Sequence, residues 1–270
     1  ALASKSYFDA AKNRRGLDEV SEIVADPGEL YRRLKRVDVR LPDWLKRSTW
    51  EEVAGELTAE DCVLAIVNTR GHARRLWRML PEGTLHLSAL MCGAHRAKVI
   101  EEIKQRLAEK RAGRDARPLR VVSTSLVEAG VDLSFPAVYR AFAGLDSIAQ
   151  AAGRCNREGE QARGRVVVFL PPEAAPPGFQ RQAQDACLDV LRAWEGDALD
   201  LALFERYFES LYYGIDLDAK GITDYLTRDA ARLEIQFRSA ADHFRLIDDE
   251  DQATVFVRYT DYPDIEMLLG

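Results

Sequence analysis

The stretch STSLVEAGVDLSFPAV, Ser123 to Val138, closes one apolar run and opens another, and a second segment, DSIAQAAGRCNREG, Asp146 to Gly159, follows soon after. Between the apolar runs stand a glycine, Gly130, and a lone acid, Asp132; beyond them come two arginines three residues apart, Arg154 and Arg157. An apolar core does not select two unpaired guanidiniums. A surface that meets phosphates does, because the guanidinium fork matches phosphate oxygens two at a time. The plainer alternative is a helix end whose arginines are solvated.

Working outward, runs of strand length alternate with helical patterns. VDVRL (Val37–Leu41), CVLAIV (Cys62–Val67), TLHLS (Thr84–Ser88), LRVVS (Leu119–Ser123), AVYRA (Ala137–Ala141) and RVVVFL (Arg165–Leu170) read as strands, the first as an edge strand. After CVLAIV, Ala73, Leu76, Trp77 and Leu80 recur at helical spacing. A later helix turns Ile100, Ile103 and Leu107 inward and pairs Glu102 with Arg106 on its outer face. Strands of this kind alternating with helices make an α/β fold, a parallel sheet covered on both faces.

In open parallel sheets ligands meet the loops at the carboxyl ends of the strands. Ser123 ends a strand, and Thr124 and Ser125 offer hydroxyls and N–H groups just beyond it. Gly130 permits a tight bend before Asp132, and the turn after SIAQAA presents Gln150, Arg154 and Arg157. Glu128 fits either a solvent-facing position or a partner for an arginine.

The alternation stops at PPEAAPPGF, Pro171–Phe179, which reads as a linker or domain boundary. Beyond it the pattern is helical. Cys187, Val190, Leu191 and Trp194 make one face, and Phe204, Tyr207, Phe208 and Leu211 make another, both read as core. The closing TVFVRYTDYPDIEMLLG, Thr254–Gly270, starts like a strand.

Composition narrows the function classes. The 270 residues carry a formal net charge of −6, so nucleic acid is not held by bulk field and any contact with it is local. Apolar runs such as Val166–Leu170 are too short for a bilayer, and the expectation is a cytoplasmic protein without membrane contact. Cys62, Cys92, Cys155 and Cys187 stand singly and read as reduced thiols. His72, His86, His95 and His243 are scattered, so no metal site is expected.

STSLVEAGVDL resembles motif V, and QAAGRCNR resembles motif VI (Q-x-x-G-R-x-x-R), of superfamily 2 helicases. VLAIVNTRGHARRL is similar to their motif IV, where a strand delivers Asn68, Thr69 and Arg70 to the next helix. The wording of IVNTR, LSALMCGAHR, ESLYYGIDLDAKGI and FRSAADHFRLIDDE resembles one branch in particular, the CRISPR-associated helicase–nucleases of type I systems. That resemblance implies a RecA-like parallel sheet flanked by helices, followed by a mostly helical C-terminal extension. Residues 1–34 would be a linker from a first RecA-like domain, 35–172 the second RecA-like domain, and 173–270 a helical linker region leading to a truncated C-terminal domain.

No G-x-x-x-x-G-K-[ST] loop and no D-E-x-H acid pair occurs in the sequence. The expectation is therefore a fragment, inactive alone, whose first RecA-like and HD nuclease domains belong to the same parent chain. By the same resemblance ATP sits between the two RecA-like domains, with the phosphate loop and magnesium on the missing one. Arg154 and Arg157 are then arginine fingers facing the open cleft, with Gln150 near the γ-phosphate or its attacking water. Asp132, beyond Gly130, accepts from the ribose hydroxyl or couples to the fingers. Thr124 and Thr69 hold phosphates of single-stranded DNA, helped by Arg70 and Arg96. The further partner implied is the CRISPR surveillance complex. Two other readings stay open: a non-catalytic RecA-like interaction module, and a piece of another superfamily 2 helicase acting on RNA or duplex DNA.

Overall fold

Strand β2 (Cys62–Ile66) lies in the interior of the sheet, and from Val63 onward none of its residues is more than 1% exposed. The computed structural model describes residues 21, 23–213, 218–244 and 259. β2 pairs in parallel with β4 (Leu119–Ser123) on one side and β5 (Ala137–Ala141) on the other. β3 (Leu85–Leu87) extends the sheet beyond β4, and β6 (Gly164–Phe169) and then β1 (Val37–Arg40) extend it beyond β5. The order is β1-β6-β5-β2-β4-β3, every pairing parallel. The six runs read as strands are these six, and Val37–Arg40 takes an edge as expected.

Helices cover the sheet. α2 (Trp50–Ala59) starts at a capping box: Thr49 Oγ accepts from the Glu52 N–H at 3.1 Å, and Glu52 Oε2 accepts from the Thr49 N–H at 2.8 Å. It buries Trp50, Val53, Ala54 and Leu57 against Ala65, Leu76, Val122 and Phe169. α3 (Arg70–Met79) buries Ala73 and Leu76. Trp77 departs from the expected inward face: it is 40% exposed, because its indole N–H reaches the Thr84 carbonyl at 2.7 Å. α4 (Gly93–Arg111) buries Val99, Ile103 and Leu107, and Ile100 only partly. Arg106 does not take the expected partner Glu102. It turns inward to Asp115, Nε to Oδ2 at 3.1 Å, and donates to the Pro118 carbonyl at 2.9 Å, which fixes the turn before β4.

The chain divides into two compact units, Ala1–Leu211 and Tyr212–Gly270. The first runs past the proline-rich stretch, which is strapped down. Arg47 donates to the Pro171 carbonyl at 2.9 Å, and Glu173 accepts from the Trp50 indole at 2.9 Å and from Arg75 at 2.8 Å. α6 (Phe179–Arg192) then buries Ala183, Ala186, Cys187 and Leu191. α7 (Leu201–Tyr213) buries Leu203, Tyr207 and Leu211; of the two apolar faces read from the sequence, Cys187, Leu191, Tyr207 and Leu211 are core, while Val190, Trp194, Phe204 and Phe208 are half-buried. α5 (Leu145–Ala152) meets both: the Tyr207 hydroxyl donates to Asp146 Oδ1 at 2.7 Å, and α6 packs alongside.

In the second unit α8 (Ile222–Thr227) and α9 (Phe237–His243) pack together, with the Gln236 N–H on the Tyr225 carbonyl at 3.1 Å. The strand expected near Thr254 lies outside the described residues. Among the described residues no helix is long and apolar enough to cross a membrane.

The half-buried Tyr207–Asp146 bond makes α7 part of the first unit's stability. Tyr207→Phe, which keeps the ring and deletes the hydroxyl, is expected to cost roughly 1–3 kcal/mol in urea unfolding of the chain, the range for a bond to a charged acceptor. An unchanged midpoint would show that α7 is docked by apolar contact alone.

Candidate functional site

The two segments that opened the sequence reading lie against each other and are joined by main-chain bonds. The Phe135 N–H donates to the Arg154 carbonyl at 2.9 Å, and the Asn156 N–H donates to the Phe135 carbonyl at 2.8 Å. Two local features allow this approach. Gly130 turns the first segment at φ 73°, in the left-handed region. Gly164, at the start of β6, leaves room for the second: a Cβ there would lie 2.6 Å from Cys155 Sγ and 2.7 Å from Asn156 Cβ.

The two arginines have different surroundings. Arg154 departs from the expectation that both face the open cleft. It is 8% exposed, and its guanidinium donates Nε to the Val127 carbonyl at 2.7 Å and Nη2 to the Glu128 carbonyl at 2.6 Å. Those carbonyls end the 3₁₀ turn Ser125–Val127 and have no helical continuation, so a fork donor satisfies them. Burial, and then the charge of Arg157, lower Arg154 from its ordinary value. Asn156 stands between the arginines at φ 46°, a conformation asparagine tolerates better than most residues. Its amide donates to the Arg36 carbonyl at 3.0 Å and the Gln161 carbonyl at 2.8 Å, and its oxygen accepts from the Gln161 N–H at 3.0 Å. Beyond that reversal Arg157 is exposed, and its Nη2 pairs with Asp132 Oδ1 at 2.8 Å.

A buried charge network lies beneath. Arg140, in the middle of β5, is 2% exposed, and its Nε faces Glu128 Oε1 at 2.9 Å. Arg140 also donates to Asn68 Oδ1 at 2.6 Å, to the Ala141 carbonyl at 2.7 Å and to Ser147 Oγ at 3.1 Å. Ser147 Oγ in turn donates to Glu128 Oε2 at 2.8 Å, and Asn68 Nδ2 donates to the Phe142 carbonyl at 2.8 Å. Burial pushes the Glu128 carboxyl up and the Arg140 guanidinium down, and each opposes the other's shift. A guanidinium does not give up its proton in a protein, so Glu128 is its counter-ion. A pocket of about 200 Å3 lies over this network, with Asn68, Ser125, Glu128, Arg140 and Gln150 among its walls.

The residues expected to hold DNA follow β2, β4 and β3, three neighbouring strands, and Gln150 lies in α5 after β5. Thr69 caps α3, its Oγ accepting from the His72 N–H at 3.1 Å, and Arg70 is exposed on the first turn. Thr124 is 8% exposed; its N–H donates to the Leu87 carbonyl at 3.2 Å, and its side chain makes no cap bond. Arg96 is half-buried in the first turn of α4. Gln150 is exposed.

Arg140, Ser147 and Asn156 were missed as site residues. For Arg140 the signal was present, since a lone charge inside AVYRA requires a buried counter-charge. Among the described residues no group of three His, Cys, Asp or Glu side chains could hold a metal ion.

The parallel sheet with helices on its faces is a RecA-like fold. Residues 59–160 match the family model described as CRISPR-associated nuclease/helicase Cas3, C-terminal, and the resemblance read from the motifs is borne out over that stretch. The chain is 52% identical over 65 residues to a CRISPR-associated nuclease/helicase Cas3 of Haloferax volcanii, covering 23% of this chain and 7% of that protein. It is 25% identical over 228 residues to the one of Methanothermobacter thermautotrophicus, covering 77% of this chain and 26% of that protein. Among solved structures, T. fusca Cas3 shares the fold with a TM-score of 0.53 at 18% identity, over 77% of this chain and 27% of that one. T. fusca Cas3 with ATP gives a TM-score of 0.52 at 19% identity, over the same shares. The chain thus spans about a quarter or less of these relatives.

The arginines are separable by stability. Arg154→Ala strands two buried carbonyls and is expected to cost roughly 2–4 kcal/mol in denaturant unfolding of the chain. Arg157→Ala removes only an exposed ion pair and should change stability by less than about 1 kcal/mol. Equal losses for both would contradict the division between an inward and an outward arginine.

Proposed function

We propose that this chain is the second RecA-like half of an ATP-dependent single-stranded DNA translocase of CRISPR interference, a cytoplasmic helicase–nuclease. The observation that carries it is Arg157, exposed and pointed outward from a tightly closed motif V–motif VI unit, and aligned by Asp132. In this reading residues 35–172 form the second RecA-like domain, 1–34 lead in from the first, and 173–270 lead toward a C-terminal domain. The first RecA-like domain supplies the phosphate loop and magnesium, neither of which the motifs here provide. ATP in the joint supplies the charge that draws the halves together.

Arg157 is the finger on this side, and its partner is the charge that develops on the transferring phosphoryl group. Gln150 serves the γ-phosphate or the attacking water, and Asp132 holds the finger between turnovers or accepts from the ribose. Arg154 supports the finger loop from beneath. Thr69 and Thr124, with Arg70 and Arg96, grip successive DNA phosphates without reading sequence. Closing on ATP and opening after hydrolysis alternates the grips of the two halves, which moves the strand. The HD nuclease domain and the surveillance complex are the partners that follow.

A group used mainly in the transition state lowers turnover far more than ground-state binding when removed. Arg157→Ala in the full-length protein is expected to cut ATP turnover by about two orders of magnitude or more while ATP affinity weakens only modestly. Arg157→Lys should not restore it, since an ammonium lacks the planar fork. Unchanged turnover in steady-state assays would end the finger assignment.

The DNA grip has its own test. The chain alone should bind single-stranded DNA weakly and without sequence preference, and fluorescence anisotropy should show the binding collapse as salt is added. In the full-length protein Thr124→Ala should lower DNA-stimulated turnover. A salt-insensitive complex, or preference for one base sequence, would count against phosphate tracking.

A further inference from the structure

We infer that the buried Glu128–Arg140 pair, with Ser147, is a positioning device that couples the DNA-gripping loops to the arginine finger. The inference rests on the reading above and extends it to residues that touch neither ligand. Arg140 holds Asn68, the residue before the Thr69 cap, at 2.6 Å and faces Glu128 of the motif V segment at 2.9 Å. Glu128 has a second attachment: its main-chain carbonyl takes Arg154 Nη2 at 2.6 Å. Arg154 is joined to Phe135 by its own carbonyl and precedes the Asn156 reversal that aims Arg157. Ser147, in the first turn of α5, bridges the two charged groups and ties in the helix that carries Gln150.

The path therefore runs from Asn68, beside the Thr69 cap, to the Gln150 helix and the Arg157 loop through Arg140, Glu128, Ser147 and Arg154. A structural role does not require charge here, since apolar side chains of similar volume often hold a core as well as a buried ion pair or better. What the pair adds is direction. A planar fork whose Nη1 and Nη2 are held by Asn68, the Ala141 carbonyl and Ser147, with the Glu128 carboxylate 2.9 Å from Nε, cannot follow a shift of Asn68 without moving against Glu128 and Ser147. Strand engagement at the carboxyl ends of β2 and β4 is thereby passed to the finger loop as a small rotation, not absorbed by slack side chains.

The experiment uses the full-length protein and separates coupling from binding and from folding. The double variant Glu128→Gln/Arg140→Met removes both charges at similar volume. Arg140→Lys keeps a charge without the fork, and Ser147→Ala cuts the link to α5 without leaving a buried charge alone. Each is measured for melting temperature, labelled oligo-dT affinity, ATP KM, and kcat with and without oligo-dT, beside Arg157→Ala. The double variant should keep DNA affinity and ATP KM within about threefold and lose about tenfold in DNA-stimulated kcat, a coupling of ordinary size. Arg140→Lys should not restore stimulation, and Ser147→Ala should lose about threefold on the same scale.

Wild-type stimulation in a well-folded double variant, with Arg157→Ala still inactive, overturns the coupling and leaves the motor reading intact. If the double variant does not fold, full stimulation in both Arg140→Lys and Ser147→Ala overturns it in the same way. An active wild-type enzyme that oligo-dT does not stimulate, or Arg157→Ala with full turnover, overturns the motor reading and the coupling with it.

Discussion

The buried ion pair between Glu128 and Arg140 is the constraint on which the site is arranged. A guanidinium inside a central strand needs a counter-charge and acceptors, and Arg140 has the Glu128 carboxylate at 2.9 Å and Asn68, Ser147 and the Ala141 carbonyl as acceptors. Those partners come from the loop after β2, the segment after β4, the end of β5 and the first turn of α5. Removing one charge would leave the other buried and alone, at about 3–5 kcal/mol. None of these four elements can therefore be repositioned separately. The sheet supplies flat, apolar support for them, and the ion pair sets where its carboxyl-end loops lie.

Above that network, the spacing of the two arginines acquires a physical meaning. Three residues in regular helix would bring both guanidiniums to one face. The chain leaves the helix at Gly153, and Asn156 in the left-handed region reverses its course, so Arg154 points inward and Arg157 outward. One arginine closes the motif V segment by answering its free carbonyls. The other is left available for a ligand. A motif written as two arginines thus holds two chemistries, and the charge of Arg157 is still felt at Arg154.

The strands were legible because each is a short β-branched or aliphatic run bounded by polar residues, and a parallel sheet needs little more. The bend at Gly130 was legible from the residue's own chemistry, and the pairing of Asp132 with an arginine was one of the two roles the family resemblance implied for it. What sequence could not give was partner choice across the fold. Arg106 meets Asp115 and not Glu102, because the turn before β4 brings a buried carboxylate closer than the next helical turn does. The proline-rich stretch reads as a break, yet the Trp50 indole and Arg75 fix Glu173 to the sheet's helices, and α6 and α7 join the same unit. Arg154 was misjudged for the same reason, since the carbonyls it satisfies belong to a turn 26 and 27 residues earlier.

The acidic surface gives the Arg157–Asp132 pair its significance. With a formal net charge of −6 the chain as a whole repels a polyanion, so attraction must come from groups placed within a Debye length of the ligand, about 8 Å at physiological salt. An arginine left alone on such a surface would wander over many rotamers and meet a phosphate in the right pose only rarely. Asp132 limits that search, holding the guanidinium at 2.8 Å while both side chains stay in water. An exposed pair of this kind is worth about 0–1 kcal/mol. On the proposed reading it orders the finger without competing seriously against a triphosphate, whose oxygens offer the same fork geometry with more charge. On the proposed reading Asp132 is thus a resting partner that ATP displaces, and the weakness of the pair is what makes the exchange fast.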